Sequence, residues 1–244
     1  MAIHVLSNYV LPILGMLIAW ALALSPLKRV MQAEHDGSLR DYNPLPSTVF
    51  LMNSVAWLFY GGLIKNIFII VLKIVLVVVN PQLSLRSYIY ATNECRRQME
   101  AIIQISIAIL MVFYVLFFYD VTPDRTLFVY GYLCLVLNLL IFVAPFSTIR
   151  IVVATKNSSP IHIPFAVMGF LGTFFWFIYG LVIDEIPLIV PNAVGVLLNV
   201  SQLVLCVVLK REEVPQRTSC DGNEEMIGTN EIKSCHTPPS LSVA

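Results

Sequence analysis

Long apolar runs separated by short polar segments dominate the chain from residue 5 to residue 209. A helix that crosses a bilayer needs roughly 20 predominantly apolar residues. The connections between the runs are short, and Pro, Asn, Asp or Gly stands at most of them, as expected for turns. The pattern predicts an all-α integral membrane protein with seven transmembrane helices, at about 5–27, 44–64, 67–86, 101–119, 127–146, 162–183 and 186–209.

The last part of the chain, 210–244, has a different character. It is polar and rich in Ser, Thr and Pro, with acidic residues that include Glu212 and Glu213. A segment of this composition cannot bury enough apolar surface to offset the loss of chain entropy. We therefore expect 210–244 to be a disordered tail.

The distribution of basic residues predicts an orientation, because loops on the cytosolic side of a membrane are enriched in Lys and Arg. If the N-terminus is extracellular or luminal, that side of the membrane receives only Lys65 and Arg125. The tail is then cytosolic. The cytosolic loops and the end of the last helix would hold Lys28, Arg29, Arg40, Arg86, Arg96, Arg97, Arg150, Lys156, Lys210 and Arg211.

The chain also repeats itself at a fixed offset. Residues 57–61 read Trp-Leu-Phe-Tyr-Gly and residues 176–180 read Trp-Phe-Ile-Tyr-Gly, which is an offset of 119 positions. The same offset relates Pro26 to Pro145. A duplicated unit in a membrane-embedded chain is typical of transporters, in which two halves face each other across a shared cavity.

The number of crossings determines how the two halves are related. Four crossings separate the first predicted helix from the fifth, so that equivalent helices run in the same direction. The sequence predicts two parallel three-helix repeats, 5–86 (the first half) and 127–209 (the second half). The fourth helix, 101–119, shows no counterpart and is predicted to be the linker that allows this orientation.

Composition supports a membrane protein and excludes several other classes. Hydrophobic residues form 58% of the chain and charged residues 12%, with a mean hydropathy of +0.81, whereas soluble domains carry about 25% charged residues. The formal net charge is zero and no run of Lys and Arg suggests nucleic-acid binding. The five cysteines form no CxxC pair, and no catalytic cluster, metal-ligand spacing or nucleotide loop is present. We expect a protein that is not an enzyme and has no cofactor.

The ordered motifs of the chain resemble those of the SWEET sugar transporters, a family built from paired parallel three-helix repeats. The resemblance extends from about Asn8 to Leu209 and is strongest in the second half. The first half contributes Ser25-Pro26, Leu45-Pro46, Leu51-Met52-Asn53 and the motif at 57–61. The second half contributes residues 144–148, 163–165, 176–180, 189–195 and Gln202-Leu203.

The resemblance implies a set of substrate-binding residues. Paired aromatic positions of the family flank the sugar, and they match Trp57 and Trp176. An indole face can cover the C–H face of a sugar ring, although tryptophans are also common at membrane interfaces. An Asn of the seventh helix contacts the sugar in the family and matches Asn192, whose carboxamide can donate and accept. Asn53 and Gly172, each four residues before a tryptophan, match positions that vary with substrate size.

Lys73 departs from the family pattern. By the internal offset it is equivalent to Asn192, and the family has an Asn at this position as well. A charged Lys near the middle of a membrane helix costs roughly 2.5–3.5 kcal/mol, so it usually faces a cavity or a partner. Three interpretations remain open: Lys73 binds substrate, contacts polar groups of the cavity wall, or extends its ammonium group to the outer interface.

Four prolines form a further candidate group. In the family, one Pro from each of the first, second, fifth and sixth helices lies on the cytosolic side and moves during gating. Because Pro bends a helix and removes a backbone donor, such residues can act as pivots. The matching residues are Pro26, Pro46, Pro145 and Pro164, with Pro44 as an alternative to Pro46.

These features predict a facilitative, bidirectional sugar transporter that moves a mono- or disaccharide by alternating access. The predicted spans contain no Asp or Glu that could carry a proton. The expected partners are the sugar and the lipid bilayer, in a multi-pass protein of the plasma membrane or an endomembrane. The sequence leaves open a homo-oligomer and a transporter of another small polar or anionic solute. A seven-helix receptor is a remote alternative, because the internal repeat does not favour it.

Overall fold

The computed structural model describes residues 5–39, 42–118 and 123–211, which contain helices and no β-strand. The chain enters its first helix through a short π-helical segment, Leu6–Val10. The α-helices that follow are α1 (Leu11–Leu24), α2 (Leu27–Asp36), α3 (Leu45–Leu63), α4 (Ile67–Tyr90), α5 (Asn93–Phe118), α6 (Pro123–Ile141), α7 (Val143–Thr155), α8 (Ile163–Val182) and α9 (Ile186–Val208).

Each predicted span overlaps one of these helices. Within the described residues, five helical segments are long and apolar enough to cross a membrane: Leu6–Asp36, Ile67–Tyr90, Arg125–Thr155, Ile163–Val182 and Ile186–Val208. The all-helical membrane class is thereby confirmed. The spans at 44–64 and 101–119 correspond to α3 and α5, and a count of seven crossings stays a prediction.

The first helix extends beyond its predicted end at residue 27. It breaks at Ser25 and Pro26 and continues as α2, which buries Val30 and Ala33 and ends at Gly37. Gly37 adopts the left-handed conformation (φ 67°) that glycine reaches without strain. Hydropathy missed this extension because α2 is amphipathic and its exposed face is charged.

The fifth predicted span, 127–146, also continues as helix. After a break at Phe142 the chain forms α7, which runs to Thr155 and ends at Lys156 in the left-handed conformation (φ 52°). At the linker, α5 begins at Asn93 rather than near residue 101. The error has one cause: an apolar window finds the part of a helix that lies in lipid and not the polar turns at its ends.

The helices pack in two equivalent sets. In the first half α4 packs against both α1 and α3, and in the second half α9 packs against both α6 and α8. Across the halves, α1 contacts α8 and α3 contacts α6. The linker helix α5 contacts α3 and α6.

One buried cluster joins the two halves. Its side chains are apolar or aromatic and come from six helices. One member from each of α1, α3, α4, α6, α8 and α9 is Met16, Trp57, Leu72, Cys134, Trp176 and Leu188, respectively.

The outer surface of the helices is apolar as well. On α4, large aliphatic side chains at Ile74, Val78, Leu85 and Ile89 are exposed. The opposite face of α4 buries polar residues, including Asn80, Ser84 and Ser87. An apolar exterior with polar groups inside is the arrangement that a lipid environment requires.

The connections between α3 and α4 and between α8 and α9 are built alike. The Asn66 amide donates to the Gly61 carbonyl (2.9 Å), and the Glu185 amide donates to the Gly180 carbonyl (3.0 Å). Lys65 (φ 53°) and Asp184 (φ 55°) both adopt the left-handed conformation. Each pair of residues is 119 positions apart, so the offset seen in the sequence recurs in the backbone of the two hairpins.

Gly61 allows the first hairpin to close, and this gives a test of its packing. A Cβ atom at Gly61 would lie 2.8 Å from Ile69 Cγ2 and 3.4 Å from the Ile70 amide, whereas one at Gly62 would meet nothing within 4 Å. We expect Gly61→Ala to destabilise the protein by about 1–3 kcal/mol through overpacking. Gly62→Ala is the matched control and should leave stability unchanged or raise it by about 0.5–1 kcal/mol. Thermal unfolding in detergent measures both, and equal midpoints for the two variants would contradict the close packing.

The end of α9 is held by the loop between α7 and α8. The Ser158 amide donates to the Lys210 carbonyl (3.0 Å), and the Ser158 hydroxyl donates to the Leu209 carbonyl (3.3 Å). Arg211 donates to the Ile161 carbonyl (3.3 Å). The predicted disordered tail, 210–244, lies outside the described residues apart from its first two positions.

Candidate functional site

The two hairpins are joined by two hydrogen bonds, which we call the cross-hairpin bonds. The Tyr60 hydroxyl donates to a carboxylate oxygen of Glu185. The Asn66 carboxamide donates through Nδ2 to the Tyr179 hydroxyl at 2.8 Å. Both tyrosines are buried, so these bonds link the α3–α4 hairpin to the α8–α9 hairpin inside the protein.

Asn66 immediately precedes α4 and Glu185 immediately precedes α9, but their side chains form different hydrogen bonds. Asn66 accepts from the Phe68 and Ile69 amides (3.1 and 3.2 Å) while it donates to Tyr179. A side chain that caps a helix in this way satisfies amides that have no partner within the helix. Glu185 makes no such cap, so its carboxylate is available to the Tyr60 hydroxyl.

The cross-hairpin bonds obey the internal offset. Tyr60 is equivalent to Tyr179 and Asn66 is equivalent to Glu185, each at 119 positions. The tyrosine of each half is therefore hydrogen-bonded to the hairpin residue of the other half. The two bonds differ in strength, because a hydrogen bond to a carboxylate is worth about 1.5–3 kcal/mol and a neutral one about 0.5–1.5 kcal/mol.

Lys73 takes part in a chain of polar groups between three helices. Its Nζ donates to Asn53 Oδ1 at 3.2 Å, and Asn53 Nδ2 donates to Asn138 Oδ1 at 2.7 Å. The Lys73 ammonium group also lies 5.7 Å from the centroid of the Trp57 ring, within range of a cation–π contact. The structure thus brings Lys73, Asn53 and Trp57 together and adds Asn138 of α6.

This geometry bears on the three interpretations of Lys73. Its side chain is directed into the helix bundle toward Asn53, not along α4 toward the hairpin. The contact corresponds to the interpretation in which Lys73 bonds polar groups of the cavity wall. Within the described residues no carboxylate lies within ion-pair distance of its Nζ.

The two predicted tryptophans occupy equivalent positions. Trp57 stands edge to face with Tyr60 (ring centroids 5.7 Å apart), and Trp176 stands edge to face with Tyr179 (5.8 Å). Both belong to the cluster that joins the halves. The Trp57 Nε1–H group is buried and has no hydrogen-bond partner in the part of the chain that the structure describes. A buried donor without a partner is costly, and it marks a place where a ligand acceptor would be stabilised.

Trp176 packs against α1. A Cβ atom at Gly15 would lie 2.8 Å from Trp176 Nε1, so the indole rests against a part of α1 that has no side chain. Gly172 lies one turn earlier on α8 and faces the same helix, since its Cβ would be 3.2 Å from Ile18 Cγ2. Glycine at both positions lets α1 and α8 approach closely.

Asn192 is buried on α9. Its Nδ2 donates to the Leu188 carbonyl at 2.7 Å, which leaves Oδ1 without a hydrogen bond in the described structure. The adjacent Pro191 is fully buried. No hydrogen bond joins Asn192 to Lys73 among these residues, so the two equivalent positions of the offset have separate partners.

The predicted prolines lie at the ends or breaks of helices. Pro26 precedes α2, and Pro145 follows the break between α6 and α7, where its carbonyl accepts from Gln202 Nε2 (3.4 Å). Pro46 and Pro164 begin α3 and α8 and are exposed. Pro44 is fully buried and its carbonyl accepts from the Ser47 and Thr48 hydroxyls.

Several residues of the site were missed in the sequence. The cross-hairpin residues could have been found, because the offset that pairs the tryptophans also pairs Tyr60 with Tyr179 and Asn66 with Glu185. Gly15 and Asn138 gave no such signal, since the offset places them opposite Cys134 and Ala19. Their roles depend on which helices touch.

A family model described as "Sugar efflux transporter for intercellular exchange" matches the chain twice, at residues 9–95 and 128–214. The starting points of the two matches are 119 positions apart. Together the two matches cover more than half of the chain.

Proteins from plants and insects are similar over most of the chain. The Arabidopsis thaliana protein named "Bidirectional sugar transporter SWEET10" is 25% identical over 203 residues, which cover 82% of this chain and 70% of the relative. Another from Arabidopsis thaliana, "Bidirectional sugar transporter SWEET7", is 28% identical over 221 residues (82% and 80%). "Sugar transporter SWEET1" of Drosophila pseudoobscura pseudoobscura is 28% identical over 173 residues (70% and 76%).

A solved structure shares the fold. The chain superposes on a eukaryotic SWEET transporter determined at 3.7 Å resolution with a TM-score of 0.71, at 20% sequence identity, covering 82% of this chain and 95% of that chain. The superposition and the two matches to the family model therefore agree. The protein belongs to the SWEET family of sugar efflux transporters for intercellular exchange.

Proposed function

We propose that this protein carries a mono- or disaccharide across a membrane in either direction, down the sugar gradient. The proposal rests on membership of a sugar efflux family and on relatives that are named bidirectional sugar transporters. The predicted spans contain no Asp or Glu, so no acidic proton carrier is at hand to drive uphill transport. A uniporter needs no proton carrier, because it moves its substrate down the gradient.

One observation carries the proposal: Trp57 and Trp176, at equivalent positions of the two halves, lie in one buried cluster. A sugar held between two indole faces would contact both halves at once. Movement of one half against the other would then expose the site to each side in turn, as in transporters built from repeats. Asn192 Oδ1 and the Trp57 Nε1–H group would supply an acceptor and a donor for sugar hydroxyl groups.

The proposed topology has seven spans, with the N-terminus outside and the tail in the cytosol, in the plasma membrane. The halves are the parallel three-helix repeats 5–86 and 127–209, with 101–119 as linker. In this orientation both hairpins lie at the outer end. The cross-hairpin bonds would then keep the outer entrance closed, and the state described by the structure would be closed to the outside.

We propose that prolines at the opposite end serve as pivots for the inner entrance. Pro26 and Pro145 are equivalent by the offset and stand at a break in each first helix of the halves. Pro164 begins α8. For the fourth position the burial of Pro44 favours it over the exposed Pro46, because a pivot packed against neighbouring helices transmits movement.

Transport of radiolabelled sugars tests this function directly. The full chain is expressed in a host that lacks sugar transporters, and uptake of glucose, fructose and sucrose is measured against the empty vector. We expect saturable uptake of at least one sugar, together with efflux from preloaded cells. Collapse of the proton gradient should leave the initial rate unchanged, because the proposed cycle moves no proton.

Two results would contradict the proposal. Absence of uptake and efflux for all three sugars, with the protein present at the cell surface, would contradict sugar transport. Accumulation of a sugar above its outside concentration would contradict the uniport mechanism. Proteoliposomes containing the purified protein serve as a control for transport by host proteins.

A further inference from the structure

The two sides of the site differ in hydrogen-bonding chemistry. In the first half, Asn53 Oδ1 is engaged by Lys73 and Asn53 Nδ2 is engaged by Asn138. Lys73 carries three N–H donors, of which one is used in the described structure. The Trp57 Nε1–H donor is buried and unused. This side therefore presents several spare donors, whereas its acceptors, Asn53 Oδ1 and Asn138 Oδ1, each already accept one hydrogen bond.

The second half presents the complementary type of group. Asn192 uses a donor for the Leu188 carbonyl, and its Oδ1 acceptor makes no hydrogen bond in the described residues. Trp176 has no cation near its ring among the contacts described for it. A substrate that fits both sides should carry a strong acceptor at one end and hydroxyl donors with an apolar ring face at the other.

The charge of Lys73 indicates what kind of acceptor the substrate should carry. A charge inside a membrane protein is stabilised by an opposite charge or by several hydrogen bonds. Lys73 has one hydrogen bond and a cation–π contact, and no described carboxylate pairs with it. The spans themselves contain no Asp or Glu. No negative charge lies in these spans or among the described contacts of Lys73, and an anionic substrate would supply one.

The position of the ammonium group also favours an anionic group beside Trp57. The Lys73 Nζ lies 5.7 Å from the centroid of the Trp57 ring, so a substrate against that ring lies next to a cation. A carboxylate would attract the ammonium group and accept its spare N–H donors. Hydrogen bonds between charged partners are about twice as strong as neutral ones.

We propose that the transported substrate is a sugar acid, a carboxylate next to vicinal hydroxyl groups as in a hexuronate, with Lys73 binding its carboxylate. This inference rests on the transport function proposed above and names the substrate class of the same site. Trp176 and Asn192 would hold the sugar ring and its hydroxyls, and the Trp57 Nε1–H group would be a further donor to the carboxylate. Each cycle would move one negative charge.

The test compares [14C]glucuronate with [14C]glucose in proteoliposomes that contain the full-length protein. We expect the wild type to transport glucuronate with a kcat/KM about tenfold or more above that for glucose, the ratio expected of a charged hydrogen-bonded pair. A potential that is positive inside, set with valinomycin and K⁺, should speed glucuronate entry and leave glucose entry unchanged.

Variants at Lys73 locate the effect. Lys73→Asn should lower kcat/KM for glucuronate by about tenfold or more and leave or raise that for glucose, whereas Lys73→Arg should keep the preference. Lys28→Asn removes an exposed lysine of α2 and is the matched control, with no expected change. Competition of unlabelled glucuronate with glucose uptake by the wild type still tests the sugar-acid assignment if a Lys73 variant does not fold.

The outcomes separate the two proposals. Transport of neither compound by the wild type would overturn the transport function and this inference with it. Transport of glucose without transport of glucuronate, and without competition by it, would leave the function standing and overturn the sugar-acid assignment. A glucuronate preference that survives in Lys73→Asn would overturn the role of Lys73.

Discussion

Replacement of Trp176 by alanine is expected to reduce sugar transport by about tenfold or more while the protein still reaches the membrane. Trp176 is only 7% exposed, lies in the cluster between the halves and rests on Gly15 of α1. Its removal takes away a large apolar face, and 1.4 kcal/mol of lost binding already gives a tenfold effect. The change is measured as kcat/KM in uptake assays normalised to surface protein.

Two further variants separate loss of the indole from general damage to α8. Phe174→Ala removes a smaller aromatic ring that is 38% exposed, and it should leave uptake close to that of the wild type. Trp176→Phe keeps an aromatic face and should give an intermediate rate. Uptake by Trp176→Ala that equals uptake by Phe174→Ala, with both at the wild-type rate, would exclude Trp176 from the site.

Loss of the Tyr60 hydroxyl should open the hairpin end of the protein more than loss of the Tyr179 hydroxyl. The first removes a bond to the Glu185 carboxylate and the second a neutral bond to Asn66. The charged bond is worth about 1.5–3 kcal/mol, so Tyr60→Phe should lower the population of the closed state relative to the open state by about 10- to 150-fold. The neutral bond is worth about 0.5–1.5 kcal/mol, so Tyr179→Phe should lower it by about 2- to 10-fold.

Cys134 reports this opening. It is fully buried on α6, one turn beyond Gly131, where an added Cβ would lie 3.0 Å from the Tyr60 hydroxyl oxygen. In a background that carries Ser in place of Cys95, Cys206, Cys220 and Cys235, a membrane-impermeant thiol reagent added outside should label Cys134 fastest in Tyr60→Phe, more slowly in Tyr179→Phe and slowest in the parent.

Tyr132→Phe provides the control for this experiment. Tyr132 lies on the same helix as Cys134, is 42% exposed and contacts Phe128 rather than either hairpin. Its labelling rate should match that of the parent. Equal rates for all four proteins, or faster labelling in Tyr179→Phe than in Tyr60→Phe, would contradict the closing role of the cross-hairpin bonds.

The sequence predicted the helical class well because the constraint is simple. A bilayer demands long apolar helices, and each predicted span overlaps one. It predicted helix ends poorly, as at α2, where Val30 and Ala33 are buried in a segment whose average character is polar. Their burial depends on packing against α4, which no window along the chain can detect.

For the candidate site, the offset pointed to Trp57, Trp176, Lys73 and Asn192 before any contact was known. It could not indicate that Lys73 turns toward Asn53, because that bond depends on the angle at which α4 meets α3. The role of Asn138 could not be predicted for the same reason, because its side chain contacts Asn53 only where α6 packs against α3. A one-dimensional repeat identifies equivalent residues, and the partners of each follow from the packing.

The cross-hairpin residues and Lys73 also record how the ancestral duplication diverged. At one pair of equivalent positions the first half has Asn66 and the second has Glu185; at another the first has Lys73 and the second has Asn192. A homodimer of the first half would contain two Lys73 ammonium groups and no carboxylate at these positions. A homodimer of the second half would contain two Glu185 carboxylates and no ammonium group at them. At these two pairs of positions each half carries a charge that the other half lacks, so a symmetric dimer of either half would bring like charges together where the present chain has one charge.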